Sequence, residues 1–182
     1  MTSPARRSPT RPAALVLWAA ASLSACSPAF DWREARPQES GAVMMFPCRP
    51  DRQQRTARVD DTALRMQLHS CKASGFTFSL SVADVDDPFR VSSMLAALRQ
   101  QLVANIAGAV AALPLPRMVG ATPNPNSQFL RIEGRLPDGR DVVVHAAFFV
   151  KGLRVYQASV VSHGERPGPD TLATFFDSIR LP

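Results

Sequence analysis

Little in this sequence is suited to chemistry. Three histidines and three cysteines occur in 182 residues. His69, His145 and His163 stand far apart, without the i, i+4 or short Cys/His spacing that metal sites use. No Gly-x-Ser-x-Gly elbow and no Gly-rich phosphate loop occurs, so the chain offers no cofactor site of a known local kind. Ser159, Ser162 and His163 are close neighbours. Successive residues of a strand point to opposite faces, however, so they do not form a nucleophile with an oriented base. Asp84, Asp86 and Asp87 lack the carboxylate and glycine spacing of a calcium loop, and helix capping accounts for them more simply. The 9 glycines and 16 prolines follow no period, which excludes a collagen-like chain. Basic residues never form a block interleaved with aromatics, which argues against nucleic acid as a partner.

Acidic residues are missing altogether from the first 25 positions, which hold Arg6, Arg7 and Arg11 followed by an apolar run from Ala13 to Ala25. That is the layout of a secretory signal. The run has 13 residues, short of the roughly 20 that a helix needs to cross a bilayer. It ends in Leu23-Ser24-Ala25-Cys26, which resembles the bacterial lipoprotein box, whose cysteine becomes the lipid-modified N-terminus. Acylation of Cys26 would leave Cys48 and Cys71 as an even pair in an oxidising compartment, and a disulfide between them is expected. The multiple acyl chains of such an anchor hold a protein stably on a membrane. Ser27 follows in place of aspartate, which by resemblance to lipoprotein sorting favours the periplasmic face of the outer membrane. Removing the leader takes three of the 21 basic residues, leaving 18 against 15 acidic and a net charge of +3. Such an excess suits solubility and attraction to acidic lipid or polysaccharide.

Residues 27–41 show no sustained apolar period and read as a flexible tether behind Cys26, with one domain over 42–182. Val43 to Phe46 is a short strand ended by Pro47. Arg49, Arg52, Arg55 and Arg58 recur every third residue, as in a solvated loop or a charge-protected sheet edge. Leu64, Met66 and Leu68 alternate with polar residues, as do Phe76, Phe78, Leu80 and Val82 after the turn at Ser74-Gly75. This is a hairpin with one buried face. Asp87 as cap and Pro88 at the first position open a helix whose stripe runs from Val91 through Leu95, Leu98, Leu102 and Ile106 to Leu113, before Pro114. Phe129 to Leu136, Asp141 to Val150 and Leu153 to Ser162 form a meander, with turns at Pro137-Asp138-Gly139 and Lys151-Gly152. Asp170 or Thr171 then caps a short closing helix carrying Leu172, Phe175 and Phe176. The expected fold class is α+β: an antiparallel sheet of about six strands with a long helix and a short C-terminal helix packed on it.

The order of these elements resembles a family. Met45-Phe46-Pro47, the hairpin ending Ala83-Asp84, Gly120, the turn at Asp138-Gly139, Leu153-Arg154-Val155-Tyr156-Gln157-Ala158 and the ending Phe175-Phe176-Asp177-Ser178-Ile179-Arg180-Leu181 are similar to small bacterial envelope proteins with a PsbP-like α/β/α sandwich. The resemblance spans residues 42 to 182. Its sharpest parts sit at core and capping positions, so it implies a fold. Photosystem II extrinsic subunits and a Ran-binding nuclear protein share that fold and act as assembly or binding partners, and a shared fold does not carry function with it.

The function these features support is a lipid-anchored, non-catalytic binding or assembly module of the bacterial envelope, held to the membrane through Cys26 and contacting an envelope protein, glycan or lipid. Arg131, Glu133 and Arg135 share one strand face opposite Leu130, Ile132 and Leu136, and form the candidate partner-binding patch. Two alternatives stand beside it. One is an envelope enzyme assembled from distant residues, with His145, His163 and a carboxylate; the other is a purely structural envelope protein. The three histidines read as ordinary surface or half-buried residues.

Overall fold

The computed structural model describes residues 29–59, 62–136 and 138–182. Cys26 and the leader lie outside them. The fold is α+β. Strands β3 (Asp51–Val59), β4 (Thr62–Ala73), β5 (Phe76–Asp84), β6 (Ala109–Leu113), β7 (Gln128–Arg135), β8 (Asp141–Lys151) and β9 (Arg154–Ser162) form one sheet in the order β3-β4-β5-β9-β8-β7-β6, antiparallel throughout. A two-stranded ribbon of β1 (Arg33–Ala35) and β2 (Met44–Phe46) lies outside it. The main sheet therefore has seven strands where about six were expected: Met44–Phe46 pairs outside it, while the arginine-rich Asp51–Val59 and the end of the expected helix both join it as its edge strands.

Local chemistry explains the clearest elements. Ala73 pairs with Phe76 around Ser74 and Gly75, at φ 49 and 79. Two consecutive left-handed residues match the turn to the twist of the strands it joins. Lys151 pairs with Arg154, so the second hairpin turns on Gly152-Leu153, one residue later than the expected Lys151-Gly152. Asp87 accepts a hydrogen bond from the Phe89 N–H at 2.9 Å and caps a single 3-10 turn, Pro88–Arg90, that leads into α1 (Val91–Ile106).

Helix α1 stops seven residues before the expected end at Leu113. Ala107 adopts the left-handed conformation (φ 48, ψ 46), and Ala109–Leu113 pairs with Phe129–Glu133 as the outer strand of the sheet. The pivot is Gly108, where a Cβ would stand 2.1 Å from the Glu133 carbonyl oxygen. Only a residue without a side chain lets the two backbones approach that closely. Ala109, Val110 and Leu113 satisfy a helical spacing and a strand equally, and pairing with β7 decides between them.

Both faces of the sheet are covered. On one, Val91, Met94, Leu95, Leu98 and Ile106 of α1 pack with Leu130, Ile132, Val144, Ala146, Phe148 and Val155. On the other, the ribbon and α2 (Pro169–Phe176) bury Met44, Phe46, Phe175, Phe176, Ile179 and Leu181 against Phe78, Leu80, Phe149, Tyr156 and Val160. Phe175 meets Phe46 and Phe78 edge-on at 5.4 and 5.3 Å between ring centres, a favoured aromatic geometry. Helix α2 starts after Gly168 without a side-chain cap; Asp170, one of the two expected caps, lies within its first turn.

The second core needs the segment read as a tether. Residues 29–41 lie along the sheet as a strap: Phe30 and Trp32 meet Phe78 edge-on, Arg33–Ala35 pairs with Met44–Phe46, and the Tyr156 hydroxyl donates to the Ser40 carbonyl at 2.8 Å. Two aromatic rings and a row of backbone hydrogen bonds outweigh the loop-like composition of this stretch. The tether reading does not extend to these residues.

Candidate functional site

The structure bonds Cys48 to Cys71, with Cα atoms 6.0 Å apart. Cys71 follows the polar parity of β4, and that face is the one the strap covers. Beside this disulfide the strap, the start of β3 and the end of β4 enclose an open cleft of about 690 Å³, lined by Arg33, Glu34, Arg36, Gln38, Arg49, Asp51, Arg52 and His69 among others. Four guanidinium groups thus face two carboxylates.

Most of these charges are partnered. Arg33 pairs with Asp31; Arg36 and Arg180 share Glu34 at 3.1 and 2.8 Å; Arg52 holds Glu39 at 2.7 Å and Gln38 at 3.3 Å. Glu39 also accepts from Gln67 at 2.6 Å. The hydrogen bonds from Arg52 and Gln67 hold its carboxyl below the usual value. Glu39 does this at φ 60, a left-handed conformation that costs a non-glycine residue about 1 kcal/mol or more. Arg49 is exposed and has no ion-pair partner among the described residues.

Beneath the arginines lies His69, on β4 directly opposite Arg52 of β3 and only 2% exposed. One ring nitrogen is hydrogen-bonded to the Gln38 backbone, while Nε2 is buried without a partner. Burial, then the charge of Arg52, pushes the ring's pKa down and keeps it neutral, with a free acceptor at Nε2. The site accordingly combines fixed cations with one unfilled buried acceptor.

The expected patch on β7 divides. Arg131 and Glu133 share the strap-side face with His145, the cross-strand partner of Arg131. Arg131 Nε and Glu133 Oε1 are 3.1 Å apart but out of hydrogen-bonding line, and Arg166 reaches Glu133 from the loop after β9 at 3.2 Å. Arg135 stands apart, paired with Asp141 at 3.0 Å where both are largely exposed. His145 is 5% exposed, with Nδ1 buried and unpartnered; burial first and Arg131 second lower its pKa. His163 lies in the loop after β9, by the Asp138 turn, whose carboxyl is lowered chiefly by Arg140. His145 and His163 thus lie beside different carboxylates.

The reading of His69 and His145 as surface or half-buried is corrected: both are core residues of the strap-covered face. Parity alone placed them on the less apolar side, and nothing local reveals that another segment covers that side. The cleft residues Arg33, Arg36, Gln38 and His69 were likewise missed. The one signal for them was Cys71 on the parity of His69, since a disulfide to Cys48 requires that face to meet the strap. The three-residue recurrence of Arg49, Arg52, Arg55 and Arg58 does not line one side, because β3 alternates: Arg52 lies opposite His69, Arg55 opposite Met66.

Neither a model of a known protein family nor a curated protein sequence matches the chain. Among the described residues no helix is long and apolar enough to cross a membrane, and the disulfide is of a kind that persists in oxidising compartments.

Proposed function

We propose that the protein is a lipid-anchored component of the bacterial envelope, held through an acylated Cys26 at the periplasmic face of the outer membrane, and that it binds an envelope partner without transforming it. The cleft along the strap carries this reading: four arginines, one without an ion-pair partner, over a buried acceptor that nothing among the described residues fills. Guanidinium groups recognise carboxylate and phosphate by paired N–H donors, so an anionic group on the partner is the feature this cleft receives. Two cysteines in one disulfide, preceded by a leader that ends in Leu23-Ser24-Ala25-Cys26, support the location.

Two measurements test it. Metabolic labelling with a fatty-acid analogue should mark the wild type and not Cys26→Ser, which should leave the membrane fraction or remain uncleaved. Inorganic phosphate titrated into the full chain in detergent should bind, and Arg49→Gln combined with Arg52→Gln should abolish the signal; an identical titration in both proteins would overturn the binding site. His145→Ala and His163→Ala should each leave an envelope phenotype intact at normal protein abundance. Loss with either alone would favour the enzyme reading instead.

A further inference from the structure

The partner's chemistry follows from where the chain enters the fold. Ala29 is tied to the β4–β5 turn, its carbonyl accepting from the Ser74 hydroxyl at 2.5 Å, and the Asp31 N–H donates to Pro47 at 3.1 Å. From residue 29 onward the chain is docked, so nothing beyond it acts as slack. Three peptide units separate Cys26 from Ala29, a span of at most about 11 Å. An anchor at Cys26 therefore holds the Ser74 end of the sheet against the headgroup layer.

The cleft opens on that same half of the molecule. Cys71, whose disulfide sets the position of the chain leading to Arg49, is three residues from the turn, about 10 Å along β4. His69 is five residues from it, about 17 Å. Asp84 closes the far end of β5 and Asp86 and Asp87 follow it, beyond the reach of that surface. A domain leashed this closely tilts onto the bilayer, and on the strap side Arg49, without an ion-pair partner among the described residues, and Arg52 line the cleft that meets an anionic surface.

We propose that the strap cleft takes the phosphodiester head of an anionic phospholipid in the leaflet that holds the anchor, Arg49 and Arg52 binding the phosphate. Arg52 turns part of its fork from Glu39 to the phosphate, which uncovers His69 Nε2 as the acceptor for a hydroxyl of the head, as in phosphatidylglycerol. The lipid thereby fixes the domain's orientation, and the opposite end, with the almost fully exposed Phe89, faces away from the membrane. This deepens the function proposed above and rests on it.

The test uses the acylated full chain in vesicles of phosphatidylcholine alone, or with one-third phosphatidylglycerol, each containing a headgroup-nitroxide lipid. Trp32 is the reporter: it lies on the strap, and the only other tryptophan, Trp18, leaves with the leader. Quenching of Trp32, which the anchor alone brings near the headgroups, should be clearly stronger in the phosphatidylglycerol vesicles than in the neutral ones. Arg49→Gln should shift the docked fraction toward the free one about fivefold, whereas Arg117→Gln, which removes the same charge from another surface, should change nothing. Equal quenching in both vesicles, or equal loss in both variants, would overturn lipid docking. Millimolar inorganic phosphate, which the same arginines bind, should compete and weaken the quenching; quenching untouched by saturating phosphate would place the docking outside the cleft and overturn it too. If lipid docking fails while the phosphate titration in detergent succeeds, only this inference falls; if both fail, the binding site falls with it.

Discussion

His69 and His145 give the protein a pH dependence that can be signed from their surroundings. Both rings have a folded pKa below the ordinary 6.5, chiefly through burial. Arg52 adds to the shift at His69 and Glu39 opposes it; Arg131 and Arg166 add to it at His145 and Glu133 opposes it. In the unfolded chain the rings take up protons as pH falls through about 6.5, while the folded protein still excludes them. Their stabilising contribution is therefore complete above 6.5 and is lost progressively as pH falls from there toward the lowered folded values. Urea midpoints measured between pH 8 and pH 5 should fall on the acid side. Replacing both histidines by glutamine should flatten that part of the curve, and an unchanged slope would mean that the rings titrate freely in the fold.

A different constraint acts where α1 hands over to β6. Gly108 and Gly134 lie back to back: a Cβ on Gly108 would stand 2.6 Å from the Gly134 Cα, and one on Gly134 would stand 2.6 Å from the Ile106 carbonyl oxygen. The contacts are backbone, so no side-chain rotation relieves them. Gly108→Ala should destabilise the protein by about 1–3 kcal/mol, the range for overpacking, by pushing β6 off β7. Hydrogen exchange should locate the effect at Ala109–Leu113 rather than in β4 and β5. Wild-type stability for Gly108→Ala would show that the edge strand tolerates displacement.

Taken as a whole, the molecule depends on a strap that contributes few residues but closes one of its two cores. The disulfide joins residues 23 apart and binds the exit of β2 to β4. Closing a loop of that length contributes about 3 kcal/mol through the entropy of the unfolded chain. Reduction, or Cys48→Ser with Cys71→Ser, should lower the unfolding free energy by about that much, read from the shifted urea midpoint. It should also weaken phosphate binding, because the chain carrying Arg49 is then no longer pinned beside His69. Destabilisation without any change in phosphate affinity would separate the cleft from the disulfide that flanks it.

What could be read from the chain alone is what neighbours in sequence decide. The alternation around Phe76 to Val82, the turn at Ser74-Gly75, the cap at Asp87-Pro88 and the turns of the meander are short-range, and each is found where its residues place it, save that the second meander turn falls one residue later, at Gly152-Leu153. The pairing of Cys48 with Cys71 was also legible, because two thiols remained once Cys26 was assigned elsewhere. Tertiary structure decided whatever depended on a partner far along the chain. Ala109–Leu113 is a strand because β7 offers it hydrogen bonds. Residues 29–41 are ordered because Phe78 and Tyr156 give Phe30, Trp32 and Ser40 something to hold. His69 is a buried acceptor under arginines because the strap covers a face whose composition alone does not mark it as buried. The physical reason is that periodicity records how polar each side of a strand is, whereas burial is set by what crosses over it, and the segment that crosses β4 is anchored more than thirty residues earlier in the chain.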